Sequence, residues 1–333
     1  MGKKLALIFA VMFVFVALVG PATAAPVVFR FSGQSPPEHV ATKTMEAMAK
    51  EIGEKTSGRV EVKVYPASQL GNYSLVFEEM IRGTVDMAMM SIATEFEPRL
   101  EMTYINGFCS GYDEAKKIFD PDAWFSKKLA ELLDPLGIKL IGSYLEGFIG
   151  IASTKELVDP LNPKVDKGVL TRVPNMAVYS LGARAMGFRP ITIPYSDVYQ
   201  SMQTGVCDAA DGYPVAAAYT ILGDVMKYWY HTNYSIEYLA MMVSNKSWAK
   251  LSADDQKVFQ EVARKYTLLS IDNAEKEDNR YMDLMEKKGI KVFKYTEDQL
   301  KALKEACIGT WDELGKTALT PELMKEFKTQ LGK

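Results

Sequence analysis

The sequence has little cysteine and little histidine. Among 333 residues there are three cysteines and two histidines. Cys109, Cys207 and Cys307 are odd in number, widely spaced and free of any C-x-x-C pair, so they indicate neither a disulfide framework nor a metal or redox site. Two interpretations stay open: two of the cysteines form a disulfide, or all three are buried thiols. We favour buried thiols. His39 and His231 lie in no H-E-x-x-H pattern, so we expect no metal and no cofactor.

Long apolar runs are absent outside the N terminus. There, Lys3 and Lys4 precede an unbroken apolar run over 5–19, and the small residues of 22–24 fit a cleavage site. The run is shorter than the roughly 20 residues that span a bilayer. This pattern is typical of a secretory signal peptide. We therefore expect residues 1–24 to be removed and the mature protein to be periplasmic.

Positive charge is also in short supply. Lysine and arginine number 39 against 42 aspartates and glutamates, and removing Lys3 and Lys4 changes the formal charge from −3 to −5. A nucleic-acid-binding protein would carry a basic stripe, so we expect no nucleic-acid partner. The mature chain of just over 300 residues is long enough for two compact domains.

Strand and helix patterns alternate after the leader. The segments "VVFRFSG", "RVEVKVYP" and "TVDMAMM" have strand patterns, and helical patterns separate them in "PPEHVATKTMEAMAKEIGEKTSG" and "YSLVFEEMIRG". This order favours an α/β layer with parallel strands.

A second series follows the same order. We predict strands at "GIKLIGSY", "GIAST", "VLTRV", "ITIP" and "VCDAAD", with helices at "MAVYSLGARAMG" and at "SDVYQSMQTG", the latter capped by Ser196. The helix-to-strand joints "RGTVDM" and "TGVCDA" resemble each other, as two lobes built from one kind of unit would require.

The region from Leu251 onward contains one long segment without proline or internal glycine. Ser252 and Asp255 resemble a capping box and Gly289 is a natural stop, so the segment predicts one long helix or two nearly continuous ones. At 1.5 Å per residue such a helix would extend about 50 Å, enough to cross two lobes. A strand at "KVFKY" and a helix at "TEDQLKALKEACIGTWDELG" complete the prediction. No low-complexity linker separates the lobes, so we expect the chain to cross between them more than once.

Arg172 places a guanidinium at the end of an apolar strand, in "VLTRVPNMAVY", just before a helix start at Asn175. Ligands of open α/β sheets bind outside the carboxyl ends of the strands. A guanidinium matches a carboxylate with two parallel hydrogen bonds. An anion clamp and a structural salt bridge are both consistent with this segment taken alone.

An ordered set of motifs now adds a resemblance. The blocks "GRVEVKVYPASQLGN", "EEMIRGTVDMAM", "LTRVPN", "YSDVYQSMQTGVCDA" and "LSADDQKVFQEVA" together resemble the substrate-binding proteins of tripartite ATP-independent periplasmic (TRAP) transporters, of the dicarboxylate- and sialic-acid-binding type. The resemblance implies an α/β, two-lobed periplasmic binding protein fold with hinge strands and a long helix spanning both lobes. We expect lobe I to comprise 26–147 and 236–278, and lobe II 148–235 and 279–333. It further implies capture of a small organic acid and its delivery to a membrane permease with small and large subunits.

The resemblance also implies site residues. Arg172 matches the carboxylate-binding arginine of the family, Asn175 a ligand-holding amide, and Tyr195 an aromatic side chain against the ligand. Gln34, Asn72 and Ser91 are polar loop residues that we expect to face the cleft. Phe148 and Tyr213 are candidates for aromatic walls of the site. Asp211 and Glu146 could bind hydroxyl groups of the ligand or be purely structural acids.

One departure from the family pattern bears on the ligand. Many relatives carry a second arginine where this chain has Ile149. A second ligand carboxylate would then be poorly matched, and a buried unpaired charge is costly. We therefore expect a monocarboxylate. Trp229 or Tyr230 could add an aromatic wall, although packing is the favoured interpretation of that cluster.

Two other functions fit parts of the sequence. A ligand-sensing module of a receptor would share the same binding chemistry. An exported enzyme acting on an organic acid would need a nucleophile with a base or a metal set, and no G-x-S-x-G elbow or clustered histidine, cysteine and aspartate is present. We therefore expect no enzymatic activity.

Overall fold

The structure, a computed structural model, describes residues 25–333. The predicted signal peptide over 1–24 lies outside the described residues. The strands are β1 (Val27–Gly33), β2 (Val60–Tyr65), β3 (Met87–Met90), β4 (Ile138–Ser153), β5 (Leu170–Val173), β6 (Arg189–Thr192), β7 (Ala209–Pro214), β8 (Tyr228–His231), β9 (Ile236–Ser244) and β10 (Lys291–Lys294). The helices are α1 (Val40–Lys55), α2 (Tyr73–Arg82), α3 (Tyr112–Ile118), α4 (Trp124–Leu133), α5 (Ala177–Ala185), α6 (Val198–Thr204), α7 (Val215–Ala217), α8 (Asn245–Trp248), α9 (Ala253–Lys287), α10 (Glu297–Ile308), α11 (Trp311–Thr317) and α12 (Pro321–Gln330).

Two units of the same topology make up most of the sheet. The first unit runs β1-α1-β2-α2-β3 and its parallel strands lie in the order β2-β1-β3. The second unit runs β5-α5-β6-α6-β7 and its parallel strands lie in the order β6-β5-β7. The predicted α/β class with parallel strands is confirmed, and the two units are topological repeats.

The two similar joints noted in the sequence occupy equivalent places in these units. Gly83 ends α2 with φ +81° and Gly205 ends α6 with φ +78°, a left-handed conformation that glycine adopts without steric cost. Three residues later, Asp86 and Asp208 each accept a hydrogen bond from a backbone amide in the first strand of their own unit, at 3.0 and 3.1 Å. The short sequence match therefore marks a structural repeat.

Strands β4 and β9 join the two units. They pair with each other in antiparallel fashion, β9 also pairs with β3, and β4 also pairs with β7 and β8, so that all strands form one ten-stranded sheet. The two short strands predicted at "GIKLIGSY" and "GIAST" are one 16-residue strand, β4. Its register shifts near Gly147, whose φ is +122°. β4 and β9 are the segments through which the chain crosses between the two units.

The long helix α9 packs along β4, and of the two predicted alternatives, one long helix or two nearly continuous ones, the structure has the first. Its 35 residues correspond to about 52 Å at 1.5 Å per residue. Ser252 caps its first turn by accepting a hydrogen bond from the amide of Asp255 at 3.1 Å. In its second half the buried carboxylate of Asp278 accepts hydrogen bonds from the amide of Phe148, at 3.0 Å, and from the hydroxyl of Tyr112. The helix is thereby fixed to β4 beside Gly147.

Several local predictions differ from the structure. Ser196 does not cap α6, because it lies in a 3-10 turn that precedes the helix and its hydroxyl contacts Asp197 at 2.9 Å. The predicted C-terminal helix is two helices, α10 and α11, and α12 follows them. These helices contact the second unit and the turns that follow the first: α10 and α11 pack on α5, and the indole of Trp311 donates to the carbonyl of Asn106 at 2.8 Å.

The three cysteines are buried and unpaired, as the buried-thiol interpretation predicts. Within the described part of the chain, no helix has both the length and the apolar character to cross a bilayer.

Candidate functional site

A cavity of about 370 Å³ lies between the two units, at the carboxyl ends of their strands. Its walls come from the first unit and the turns that follow it, from the second unit, and from the crossing strands: Gln34, Tyr73, Ser91 and Tyr104; Arg172, Pro174, Met176, Tyr179, Tyr195, Gly212 and Pro214; and Glu146 and Glu237. The position is the one at which open α/β sheets bind ligands.

Arg172 is the only lysine or arginine among the described residues that line this cavity. Its side chain is 1% exposed. Nε donates to the carbonyl of Ile193 at 2.9 Å and Nη1 donates to the carbonyl of Asp211 at 3.0 Å. A guanidinium has five N–H donors, so three of them have no acceptor among residues 25–333. No carboxylate of residues 25–333 lies within salt-bridge distance of Arg172, so the described chain provides no partner for a structural salt bridge.

Two tyrosines support the guanidinium. Tyr195 lines the cavity and stacks on Tyr213, with ring centroids 5.1 Å apart and an interplanar angle of 14°. Arg172 lies over the Tyr213 ring at 5.6 Å from its centroid. Tyr213 is fully buried behind the cavity wall and contributes a favourable cation–π contact there. The pair holds Arg172 in place without neutralising its charge.

A hydrogen-bonded chain of polar side chains forms the opposite wall. The amide of Ser91 donates to Oε1 of Gln34 at 3.0 Å, and Nε2 of Gln34 donates to the Ser91 hydroxyl at 3.1 Å. That hydroxyl donates to Oε1 of Glu237 at 3.1 Å. Tyr179, from α5 of the second unit, donates to Oε2 of the same glutamate at 3.1 Å. Glu237, on crossing strand β9, therefore links side chains from both units.

Burial disfavours the charged form of both acids that line the cavity. It raises the pKa of Glu237 to about 8 and raises the pKa of Glu146 well above its usual range. Arg172 is the one basic side chain among the described residues that line the cavity.

Four of the nine predicted site residues line the cavity, and Asn72 and Asn175 are two of the others. The side chains of both asparagines are exposed. Asn72 caps α2 instead, because its Oδ1 accepts a hydrogen bond from the amide of Leu75 at 3.0 Å. Asn72 is not among the residues that line the cavity, and its ligand role stays a prediction. Asn175 lies just before α5 and points no polar group into the cavity lining.

Phe148, Tyr213 and Asp211 lie behind the cavity rather than on its surface. Phe148 is buried in β4 and packs edge-on against Tyr112, with centroids 4.9 Å apart. Asp211 is buried, and its carboxylate accepts hydrogen bonds from Tyr234 and from the amide of Gly212, while its carbonyl holds Arg172. In this structure the three residues support the cavity wall, and their predicted contact with ligand stays a prediction.

The aromatic cluster around Trp229 and Tyr230 also packs away from the cavity. Both side chains are fully buried. Tyr230 stacks on Phe293 at 4.7 Å, and its hydroxyl accepts a hydrogen bond from the amide of Leu157 at 2.9 Å. This agrees with the packing interpretation.

The residues that the sequence did not single out are mainly Glu237 and three tyrosines, Tyr73, Tyr104 and Tyr179. The tyrosines follow helical or turn patterns that are equally typical of core positions. Glu237 is one acid inside an otherwise apolar stretch, "SIEYLAMMV", and that isolation is the signal that could have identified it.

Glu101 lies in the turns that follow the first unit, and it contacts helix α5 of the second unit. Its two carboxylate oxygens accept hydrogen bonds from the amides of Ala177 and Val178, at 3.0 and 2.9 Å, and its side chain is buried. An acid at a helix N-terminus binds free amides and interacts favourably with the helix dipole. Helix α5, which carries Tyr179 into the site, is positioned by this contact.

Comparisons with known proteins give the same picture. The family model described as DctP, bacterial extracellular solute-binding protein, family 7, matches residues 31–317. The C4-dicarboxylate-binding periplasmic protein DctP of Rhodobacter capsulatus is 27% identical over 304 residues, covering 90% of this chain and 89% of that protein. The sialic acid-binding periplasmic protein SiaP of Vibrio cholerae is 22% identical over 298 residues, covering 88% of this chain and 86% of that protein.

Solved structures match over nearly the whole chain. A TRAP periplasmic solute-binding protein of Chromohalobacter salexigens with bound D-glucuronate is 24% identical with a TM-score of 0.82, covering 91% of this chain and 99% of that one. DctP7 of Bordetella pertussis, an extracytoplasmic solute receptor binding pyroglutamic acid, is 21% identical with a TM-score of 0.81, covering 92% and 100%. These likenesses show that the fold is the two-lobed fold of such proteins.

Proposed function

Since the chain belongs to family 7 of the bacterial extracellular solute-binding proteins, we propose that it binds a small organic acid anion through Arg172 and delivers it to a TRAP-type membrane permease with small and large subunits. The protein acts in the periplasm after removal of residues 1–24. The family and the structural neighbours are substrate-binding proteins, and we assign no catalytic role to the cavity.

The observation that carries this proposal is the buried, unpaired guanidinium of Arg172. Burying a charge without an opposite charge is costly, and a chain without a ligand for that charge would gain stability from an apolar replacement. A ligand carboxylate would accept two parallel hydrogen bonds from the donors of Arg172 that have no protein acceptor. Binding of an organic anion supplies the missing partner.

The ligand is a monocarboxylate in this proposal. Relatives bind both kinds of acid by name, among them D-glucuronate and a C4-dicarboxylate. In this chain the described residues that line the cavity include one cation, Arg172, so a second carboxylate would have no opposite charge. Many relatives carry a second arginine at the position that Ile149 occupies in this chain. Ile149 is buried and apolar.

The two units move as lobes in this proposal, with lobe I comprising 26–147 and 236–278 and lobe II comprising 148–235 and 279–333. Strands β4 and β9 would serve as the hinge, since both cross between the units. A ligand that contacts both lobes favours the closed arrangement over the open one.

A ligand screen with one matched pair of variants tests the proposal. We expect monocarboxylates to raise the melting temperature of the wild type more than dicarboxylates of the same length, through linkage. We expect Arg172→Ala to weaken calorimetric affinity about 100-fold or more, because it removes a buried charge pair worth roughly 2–5 kcal/mol. The exposed Arg189 is the control, and Arg189→Ala should leave affinity unchanged. Unchanged affinity in Arg172→Ala would refute the clamp, and tighter binding of dicarboxylates would refute the monocarboxylate preference alone.

A further inference from the structure

Glu146 lies between the ligand cavity and a second cavity. It lines both of them, and the second, of about 640 Å³, is also lined by His39 and by residues of α9. Its side chain is buried and makes no hydrogen bond to the described residues. The nearest basic atom is Nε2 of His39, 3.6 Å from Oε1, a little longer than a hydrogen bond. Neither of these two atoms has another partner. A buried polar group of this kind requires a physical explanation.

The hydrogen bonding of His39 fixes its tautomer. Nδ1 accepts a hydrogen bond from the amide of Ala41 at 3.0 Å, so this nitrogen carries no proton. Burial lowers the pKa of His39 to about 4, and the positive charge of Arg280 acts in the same direction, so the ring is neutral at pH 7. The single ring proton is therefore on Nε2, on the side of Glu146 Oε1. His39 turns a donor toward this carboxyl group.

The position of His39 also bears on the orientation of the Glu146 carboxyl group. His39 lines the second cavity but not the ligand cavity, and the oxygen of Glu146 that lies 3.6 Å from its Nε2 is Oε1. Oε2 is the oxygen that does not face this donor. Burial raises the pKa of Glu146 well above its usual range, and the nearby Glu237 and Asp278 act in the same direction, which favours the protonated form. Because Oε1 faces a donor, a proton on this group is better placed on Oε2.

We propose that Glu146, oriented by His39, is a specificity-determining residue that donates a hydrogen bond from Oε2 to a hydroxyl or carbonyl oxygen of the bound acid. This inference rests on the proposed function, since it takes the carboxylate of the ligand to be held by Arg172. The ligand class becomes narrower as a result: a hydroxy- or keto-substituted monocarboxylate rather than an unsubstituted one. A site that is built to hydrogen-bond an oxygen rejects the analogue that lacks it, because the buried polar group of the site is then left unpaired.

Matched ligand pairs and two variants test the proposal. The ligand pairs are lactate or pyruvate against propionate, 2- or 3-hydroxybutyrate against butyrate, and gluconate against hexanoate, measured by calorimetry at pH 7. We expect the wild type to prefer the oxygenated member of at least one pair by about 10-fold or more. Glu146→Gln keeps a donor and should keep the preference. Glu146→Met removes the donor at similar volume and should reduce the preference to about 2-fold or less.

Three results would overturn the proposal: no preference in any pair for the wild type, an unchanged preference in Glu146→Met, or a lost preference in Glu146→Gln that folds normally. If Glu146→Met does not fold, as judged by circular dichroism, infrared difference spectra of wild type against Glu146→Gln decide instead. The expected result is a protonated carboxyl band that belongs to Glu146 and shifts on addition of the preferred acid. An absent or unshifted band overturns the proposal.

The same data separate this inference from the proposed function. If Arg172→Ala binds as well as the wild type while the preference in Glu146→Met is lost, the carboxylate clamp is wrong and the donor role of Glu146 stands. If Arg172→Ala loses binding and Glu146→Met keeps the preference, only the inference about Glu146 is wrong. A wild type that binds none of these acids contradicts both.

Discussion

Asp278 makes the stability of the protein depend on pH in a way that one substitution should remove. Its carboxylate is fully buried where α9 meets the register shift of β4, and burial raises the pKa of Asp278 to about 8. The folded protein therefore holds a proton at this site that the unfolded chain releases near pH 4. Stabilisation from this proton is complete below pH 4 and is lost as the pH rises toward 8. A difference of about 4 pKa units corresponds to at most about 6 kcal/mol at high pH.

Asp278→Asn should remove this dependence. Asparagine is neutral at every pH, and its oxygen can still accept from Phe148 and Tyr112. We expect the free energy of unfolding of Asp278→Asn to lie close to that of the wild type near pH 4. The variant should then become relatively more stable, by up to about 1.4 kcal/mol per pH unit, between pH 5 and 8.

Urea denaturation followed by circular dichroism at several pH values measures this difference. The contribution of Glu237 is present in both proteins and cancels in the comparison, whereas that of Glu146 changes in part because Asp278 contributes to its raised pKa. The matched control is Asp272→Asn, an exposed acid on the same helix, for which we expect no change with pH. A difference between Asp278→Asn and wild type that stays constant from pH 5 to 8 would refute the assignment of a buried, protonated carboxyl at this junction.

Two further substitutions test contacts around the cavity. Glu101→Gln leaves one amide at the start of α5 without its acceptor and should lower the free energy of unfolding by about 1.5–3 kcal/mol. The control is Glu95→Gln at an exposed position, which should have little effect. Equal effects of the two substitutions in denaturant titrations would argue against the contact. Asn72→Ala should cost about 1 kcal/mol of stability through the lost helix cap, Asn72→Asp should not, and both should bind organic acids within about 2-fold of wild type. An affinity loss in Asn72→Ala beyond that would restore the ligand role predicted from the sequence.

The parts of the fold that follow local rules could be predicted from the sequence. Each unit alternates strands and helices of ordinary length, and glycines such as Gly83 and Gly205 end helices where a left-handed residue is required. The crossing strands could not be predicted in the same way. All nine residues of β9 are buried, so the strand lacks the alternation of apolar and polar residues that identifies a half-exposed strand.

The site could be predicted where one residue is out of place in its local pattern. Arg172 is a charge at the end of an apolar strand, and its position needed no knowledge of distant contacts. The opposite wall depends on how β1, β3, β9 and α5 come together, since Glu237 meets Ser91 and Tyr179 only in the folded protein. The sequence around Asn72 does not decide between a ligand role and a structural one, because a polar residue after a strand can equally cap the next helix.

A crystal structure of the protein with the acid that it binds most tightly is the most direct test of the central claim. We expect both oxygens of the ligand carboxylate to lie about 2.7–3.0 Å from nitrogens of the Arg172 guanidinium, with residues of both units around the rest of the molecule. A ligand whose carboxylate is held by other side chains, with Arg172 paired to an internal carboxylate and turned out of the cavity, would contradict the account.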